Sequence, residues 1–197
     1  MLLPDLLASK NLILASNSPR RKAYLQELGL DFVTRPTDAD ESYPSSYTAS
    51  QITNHIALQK ALAAGALEPE DLIIASDTIV WHENQAVGKP ANAEEAVAIL
   101  RSLSGKTHQV ISSVCLRSAE KTVVFNEHTG VTFRALSEEE IDFYVANYQP
   151  FDKAGAYGIQ EWIGLIGIEK IQGSYTNVVG LPIEKLYHQL ILFIAAP

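Results

Sequence analysis

The stretch NLILASNSPRRKAYLQELG, residues 11–29, decides the fold class. Its first six residues, NLILAS, form a short apolar run that reads as a buried strand. Ser18 then offers an N-cap, and Pro19 suits the first helical position. Tyr24, Leu25 and Leu28 supply an apolar face, and Gly29 supplies a stop. A strand therefore passes through a tight loop into a helix. The same stretch holds an electrostatic oddity. A helix N-terminus carries partial positive charge, yet Arg20, Arg21 and Lys22 follow it directly. The backbone N–H groups at such an end can hold an anion, and arginine's planar fork suits phosphate oxygens. These cations either project into solvent or wait for something negative.

Outward from this unit, strands and helices alternate. Residues 30–47 read as irregular, with Pro36, Pro44 and acidic Asp38, Asp40 and Glu41. Thr48 and Gln51 have capping-box spacing and predict a helix over 48–64. Ile52, Ile56 and Lys60 fall on one face of it at steps of four, which puts a lysine on an apolar stripe. LIIASDTIVW, residues 72–81, is an apolar strand interrupted by Asp77 and Thr78, and HENQ after it is turn-like. Asn92 caps a helix over 93–103, which Gly105 ends. Residues 108–117 and 121–134 predict an antiparallel pair of strands. Ser137 and Glu140 form a second capping box, and Ile141, Tyr144, Val145 and Tyr148 give that helix its apolar face. The loop QPFDKAGAYGIQ follows, then a predicted strand from about 162 to 170. The C-terminal helix carries Leu186, Leu190, Phe193 and Ile194. No internal repeat, low-complexity tract or linker interrupts the pattern. The fold class is α/β, with a mixed elongated central sheet flanked by helices.

With 197 residues the chain suits one large α/β domain or two small lobes. Its net charge of −8 argues against a broad nucleic-acid surface, because duplex binding depends largely on neutralising phosphates. The single cysteine, Cys115, excludes an intramolecular disulfide framework. No segment reaches the roughly 18–20 apolar residues of a membrane span. The start, MLLPDLLASK, lacks a basic leading region and contains Pro4 and Asp5, which argues against a signal peptide. A soluble, cytoplasmic protein is the expectation.

The candidate chemistry is cations and carboxylates. An ionised Asp77 inside an apolar strand is costly unless it is paired or binds metal; alternatively it sits half exposed at the strand end. Lys89 is held between Gly88 and Pro90, which fix its backbone. Asp152 and Lys153 adjoin a Gly- and Ala-rich loop that a ligand could approach closely. The five histidines show no metal-ligand spacing. Cys115 reads as packing, and no Ser-His-Asp or Cys-His arrangement is discernible. Cations suited to phosphates, with carboxylates suited to a hard divalent metal, fit phosphate-ester or phosphoanhydride chemistry.

Five blocks in order carry a resemblance: LILASNSPRRKAYLQELGL, SDTIVWHENQAVGKP, LSGKTHQV, DKAGAYGIQ and IQGSYTNVVGLP. Together they resemble the Maf family of nucleoside triphosphate pyrophosphatases, from about residue 12 to 182. The resemblance implies one domain over 1–197, with two lobes around an active-site cleft and a fold similar to the inosine triphosphate pyrophosphatase type. It implies hydrolysis of a nucleoside triphosphate to the monophosphate and pyrophosphate with a divalent metal, usually Mg²⁺, with Mn²⁺ as an alternative. It also implies a cytoplasmic, often homodimeric enzyme whose partner is the nucleotide, with no nucleic-acid polymer and no membrane.

By position, Asp77 matches the family's proposed proton acceptor. Arg20, Thr78 and Gln160 match positions tied to base specificity, and that set resembles the branch acting on dTTP and UTP. Arg21, Lys60, Glu41, Lys89 and Lys153 match charged positions lining the cleft. Ser16 and Ser18 lie at the phosphate-facing turn, while Glu41 and Asp77 are the metal candidates. Other readings within the resemblance are a pyrophosphatase for 7-methyl-GTP or other modified nucleotides, and a nucleotide-binding regulator of septum formation. The chain departs from the family's pattern at Glu161, where Gly commonly follows GIQ. It departs also in IALQKA, which lacks an Arg two residues before Lys60, and in the SSV after HQVI.

Overall fold

The computed structural model describes residues 2–195. Strand β1 (Asn11–Leu14) pairs in parallel with β3 (Asp71–His82), setting Leu12 beside Leu72, Ile13 beside Ile73 and Leu14 beside Ile74. The short β2 (Val33–Thr34) also runs parallel to β1. Strands β5 (Thr107–Arg117) and β6 (Thr122–Phe133) are joined by a turn in which Ser118 N–H donates to the Lys121 carbonyl at 2.9 Å. Such a link is too short for a parallel crossover, so the two form the expected antiparallel hairpin. β7 (Ile168–Gln172) runs antiparallel to β6, and β4 (Gln85–Val87) antiparallel to β3. The result is a mixed sheet in the order β2-β1-β3-β5-β6-β7, with β4 also on β3.

The chain divides into two compact units. One comprises the residues up to Asp77, Ser112–Glu127 and those from Gly180 onward; the other comprises Thr78–Ile111 and His128–Val179. In the first, alternate side chains of β1 and β3 enter two separate cores. Leu12, Leu14, Leu72 and Ile74 pack with Leu3 and Leu7 of α1 (Leu3–Leu7), Leu25 of α2 (Pro19–Glu27) and Leu186, Leu190 and Phe193 of α8 (Ile183–Ala195). Ile13, Ile73 and Ala75 turn the other way, toward Ala57 and Ala61 of α3 (Ser50–Ala63) and Cys115. A strand buried on both faces reads as a continuous apolar run, which is why LILA and LIIAS show no alternation. Each large aliphatic side chain so buried contributes about 1.5–3 kcal/mol.

In the second unit, α4 (Ala93–Leu103) packs on α5 (Glu138–Tyr148). Asn92 caps α4 by accepting from Glu95 N–H at 2.8 Å, and Ser137 with Glu140 forms the capping box of α5. His108, Phe133 and Tyr157 make an aromatic cluster with centroids 5.0–5.7 Å apart. A 3₁₀ turn over Ala154–Ala156 lies against β3. Gly155 has φ +72°, and a Cβ there would stand 2.6 Å from Val80 Cγ2. Only glycine fits both the dihedral and the space.

The elements differ from expectation in five places, the first being that the stretch 30–47, read as irregular, contains the two-residue strand β2. The predicted strand over 162–170 is instead helix α6 (Trp162–Gly167) followed by β7. Within it Gly164 passes so close to Ile159 that a Cβ would meet that carbonyl oxygen at 2.0 Å, so only glycine fits there. HENQ is a turn, as expected, but it closes a hairpin onto a short strand, β4, that the sequence did not announce. Glu83 and Asn84 both have positive φ, the geometry that returns β3 into β4. Helix α3 starts at Ser50, because Gln51 Oε1 accepts from Thr48 N–H while Ala49 takes φ +47°. Helices α1 and α7 (Tyr175–Val179) are one-turn elements that propensity did not announce.

Candidate active site

The loop between β1 and α2 is built by two serines and Arg21. Ser18 Oγ accepts from Arg21 N–H at 3.4 Å and so caps α2, as its sequence predicted. Ser16 Oγ accepts from Ser18 N–H at 3.2 Å and from Arg21 Nη1 at 3.3 Å. The Arg21 guanidinium then donates from Nη1 to the Ser76 carbonyl at 2.7 Å and from Nε to the Gly180 carbonyl at 3.0 Å. A fork that binds backbone oxygens in this way ties β3 and the start of the C-terminal segment to the helix end. Burial pulls Arg21 below the ordinary guanidinium range, and the Asp77 carboxylate works against that shift.

The two anomalies of the sequence, a lysine on an apolar stripe and an aspartate in an apolar strand, meet each other. Lys60 Nζ donates to Asp77 Oδ1 at 2.8 Å and stands 2.9 Å from Glu41 Oε1. Asp77 shares its strand face with Ile73 and Ala75, which is the face that α3 covers. Lys60 lies one turn beyond Ile56 and in the last turn of α3, where the helix dipole favours a cation. Asp77 is buried and Lys60 nearly so, while Glu41 is exposed. Of the two readings open for Asp77, the structure thus shows the paired carboxylate. Among the described residues no three or more His, Cys, Asp or Glu side chains group around a metal position. The two carboxylates of Glu41 and Asp77 are hard oxygen donors. They suit a divalent ion shared with substrate phosphates rather than one held in an all-protein cage.

In the second unit, Lys153 is buried, with Nζ 2.6 Å from Asp152 Oδ1 and 3.1 Å from Glu161 Oε1. The loop of Lys89 is tied to that of Lys153, because Gly155 N–H donates to the Gly88 carbonyl at 3.0 Å. Lys89 itself is exposed, as is Gln160, while Thr78 and Arg20 are half-buried. Tyr144 donates its hydroxyl hydrogen to Glu161 Oε2 and accepts from Gly158 N–H at 3.0 Å. Burial, with Glu161 second, pushes the Tyr144 phenol well above its ordinary value.

Sequence reasoning gave no role to three participants. The Gly180 and Ser76 carbonyls are backbone atoms with no residue-type signal. Gly180 does carry a trace of one in its φ of +120°, a conformation that favours glycine. Glu161 could be seen only as an odd residue after GIQ. Cys115 is buried, and burial pushes its thiol up to about 12, so it packs rather than reacts. No helix among the described residues is long and apolar enough to cross a membrane.

The chain is similar to several known proteins. A protein named dTTP/UTP pyrophosphatase from Bacteroides fragilis is 53% identical over 181 residues, covering 91% of this chain and 94% of its own. One of the same name from Flavobacterium johnsoniae is 48% identical over 190 residues, covering 96% and 98%. Among solved structures, a HAM1 protein from Coxiella burnetii matches with a TM-score of 0.51 over 93% of this chain and 99% of its own. At 18% identity that likeness speaks for the fold alone, and it agrees with the mixed α/β sheet expected. The model of the Maf family, described as Maf-like protein, matches residues 11–193, and the chain belongs to that family.

Proposed function

We propose that the protein hydrolyses dTTP and UTP to the monophosphate and pyrophosphate. One observation carries the reading. Relatives close to half identical across nine tenths of the chain bear that activity in their names. The pairing of Lys60 with Asp77 and Glu41 gives the reading its chemistry, since it gathers two carboxylates that a divalent cation would bridge to a polyphosphate.

In this reading a water attacks the α-phosphorus, the bond to the α–β bridging oxygen breaks, and pyrophosphate leaves with that oxygen. Lys60 engages Oδ1 of Asp77, which leaves Oδ2 to orient the water and accept its proton. Glu41 and Asp77 would hold a divalent cation, most simply Mg²⁺, with Mn²⁺ as an alternative. Such an ion, when bound, neutralises charge developing on the phosphate oxygens. Arg21, Lys60, Lys89 and Lys153 supply positive charge toward the triphosphate, and the α2 start with Ser16 and Ser18 supplies oriented dipoles. Arg21 acts from a fixed position, because carbonyls already hold its fork. Arg20, Thr78 and Gln160 are assigned to recognition of the base, where the amide of Gln160 suits a pyrimidine edge. A homodimer and a cytoplasmic location belong to the same proposal, and sedimentation tests the first.

The deciding experiment measures pyrophosphate release with Mg²⁺ from UTP, dTTP, CTP, GTP and 7-methyl-GTP. Release from UTP and dTTP above the others is the expected result. A preference for 7-methyl-GTP would move the specificity elsewhere in the family. Silence on every nucleotide would replace hydrolysis by nucleotide binding alone, as in a regulator of septum formation.

A further inference from the structure

Glu161 takes part in no step above, yet the loop around it is shaped to hold it. Its Oε2 accepts the Tyr144 hydroxyl hydrogen, and Tyr144 is fully buried on α5 and braced by Gly158 N–H. Gly158 makes the room, because a Cβ there would stand 2.7 Å from Glu161 Cδ. The other carboxylate oxygen lies 3.1 Å from Lys153 Nζ. Asp152 also pairs with Lys153, but its side chain is 63% exposed, against 26% for Glu161 and 9% for Lys153. One partner of the ammonium is thus a surface carboxylate, and the other is anchored from behind.

We propose that Glu161 is a positioning residue that competes with the substrate's phosphates for the Lys153 ammonium and thereby sets nucleotide affinity. The inference rests on the reading of Lys153 as a phosphate ligand. A buried ammonium keeps its ion partner unless a better one is offered. Because Tyr144 fixes Glu161, the carboxylate does not follow the lysine, and the contact must loosen as phosphate takes its place. Affinity is then the difference between two pairings of one cation, and each added phosphate charge favours the nucleotide side.

Glu161→Gln tests this with almost no change of shape. The amide oxygen still accepts from Tyr144, while the amide nitrogen, a donor, faces the ammonium and cannot pair with it. The KM for UTP is expected to fall about three- to tenfold while kcat moves less than twofold, the size of one carboxylate withdrawn from the Lys153 ammonium. The Kd of α,β-imido-UTP, which needs no turnover, falls in parallel. Lys153→Met raises both constants, and adding Glu161→Gln to Lys153→Met changes nothing further. Tyr144→Phe removes the anchor but neither charge, so it lowers the melting temperature, and a Glu161 able to move with Lys153 competes less, so KM falls by less than in Glu161→Gln. Glu161→Ala carries the same expectation for KM and Kd should the glutamine variant fail to fold. An unchanged or raised KM and Kd in the Glu161 variants, with Lys153→Met still weakening binding, overturns the inference. Lys153→Met without effect removes the phosphate reading of Lys153 and the inference with it. A wild-type protein that releases no pyrophosphate refutes the proposed activity instead, and the imido-UTP arm still decides the role of Glu161.

Discussion

Replacing Arg21 by methionine separates what this residue does for the fold from what it does for the nucleotide. Methionine fills similar space and removes the guanidinium. Two charge-assisted hydrogen bonds disappear, to the Ser76 carbonyl at 2.7 Å and the Gly180 carbonyl at 3.0 Å; the 3.3 Å contact with Ser16 adds little. Bonds of that kind contribute about 1.5–3 kcal/mol each. Relief of burying a charge offsets part of the loss, which leaves a net cost of about 2–4 kcal/mol. For a chain of this size each kcal/mol lowers Tm by about 2–4 °C, so the variant melts roughly 5–15 °C early. Lys22→Met, one residue on, serves as the control. It removes a cation from a helix start and leaves stability within about 0.5 kcal/mol, on the stabilising side at low salt. Arg21→Lys keeps the charge but cannot span both carbonyls, and falls between wild type and the methionine variant. Equilibrium urea unfolding of the three variants is the assay. If Arg21→Met and Lys22→Met unfold at the same urea concentration, the guanidinium is not a structural tie and the geometry has been misjudged.

Asp77→Asn keeps the size of the side chain and a carbonyl oxygen for Lys60, so folding and nucleotide binding persist while turnover falls about 10²–10⁴-fold; near-normal pyrophosphate release would refute its role. Gly155→Ala combines a left-handed φ with a 2.6 Å contact on Val80 and costs about 1–3 kcal/mol in urea unfolding; a neutral result would mean that β3 and the turn yield easily. His108 is buried against Phe133 and Tyr157, and burial, with His82 second, lowers its value from 6.5 to about 4. The unfolded chain therefore binds a proton that the folded one refuses between those pH values, so this contribution is full above pH 6.5 and is lost as pH falls toward 4. His108→Phe removes that slope from the urea midpoint, at the cost of the bond to Tyr157, and an unaltered slope would assign the acid sensitivity elsewhere.

The elements that sequence placed well are those with local causes. Asn92 and Ser137 cap the helices they were expected to cap, and Gly29 and Gly105 sit at helix ends with positive φ. The apolar runs LILA and LIIAS became neighbouring parallel strands, because only a sheet covered on both faces uses so many consecutive apolar residues. The failure at 162–170 has a local cause too, but an ambiguous one. WIGLIGIEK is a short apolar run, and periodicity cannot separate a strand from a single turn of helix over so few residues. The fold there brings Gly164 against Ile159 too closely for any side chain, a contact that the run itself does not announce.

The site divides along the same line, between the charge that sequence can flag and the partner it cannot. Lys60 and Asp77 each looked wrong alone, and each is the reason the other is tolerated, yet 17 residues and a helix-on-sheet packing separate them in the chain. Arg21 looked wrong at a helix start because the acceptors that justify it are the backbone oxygens of Ser76 and Gly180, 55 and 159 residues away. A carbonyl has no residue type, so no inspection of SPRR could find it. The inference from such an anomaly to a bound phosphate was therefore incomplete for Arg21: part of the charge is spent on the protein itself. For Lys153 the same logic runs further. One of its two carboxylate partners, Glu161, is a side chain with an anchor of its own, and a cation held that firmly must be released before it can serve a substrate. A misplaced charge in a sequence thus predicts a counter-charge, and only the structure shows whether protein, ligand or both supply it.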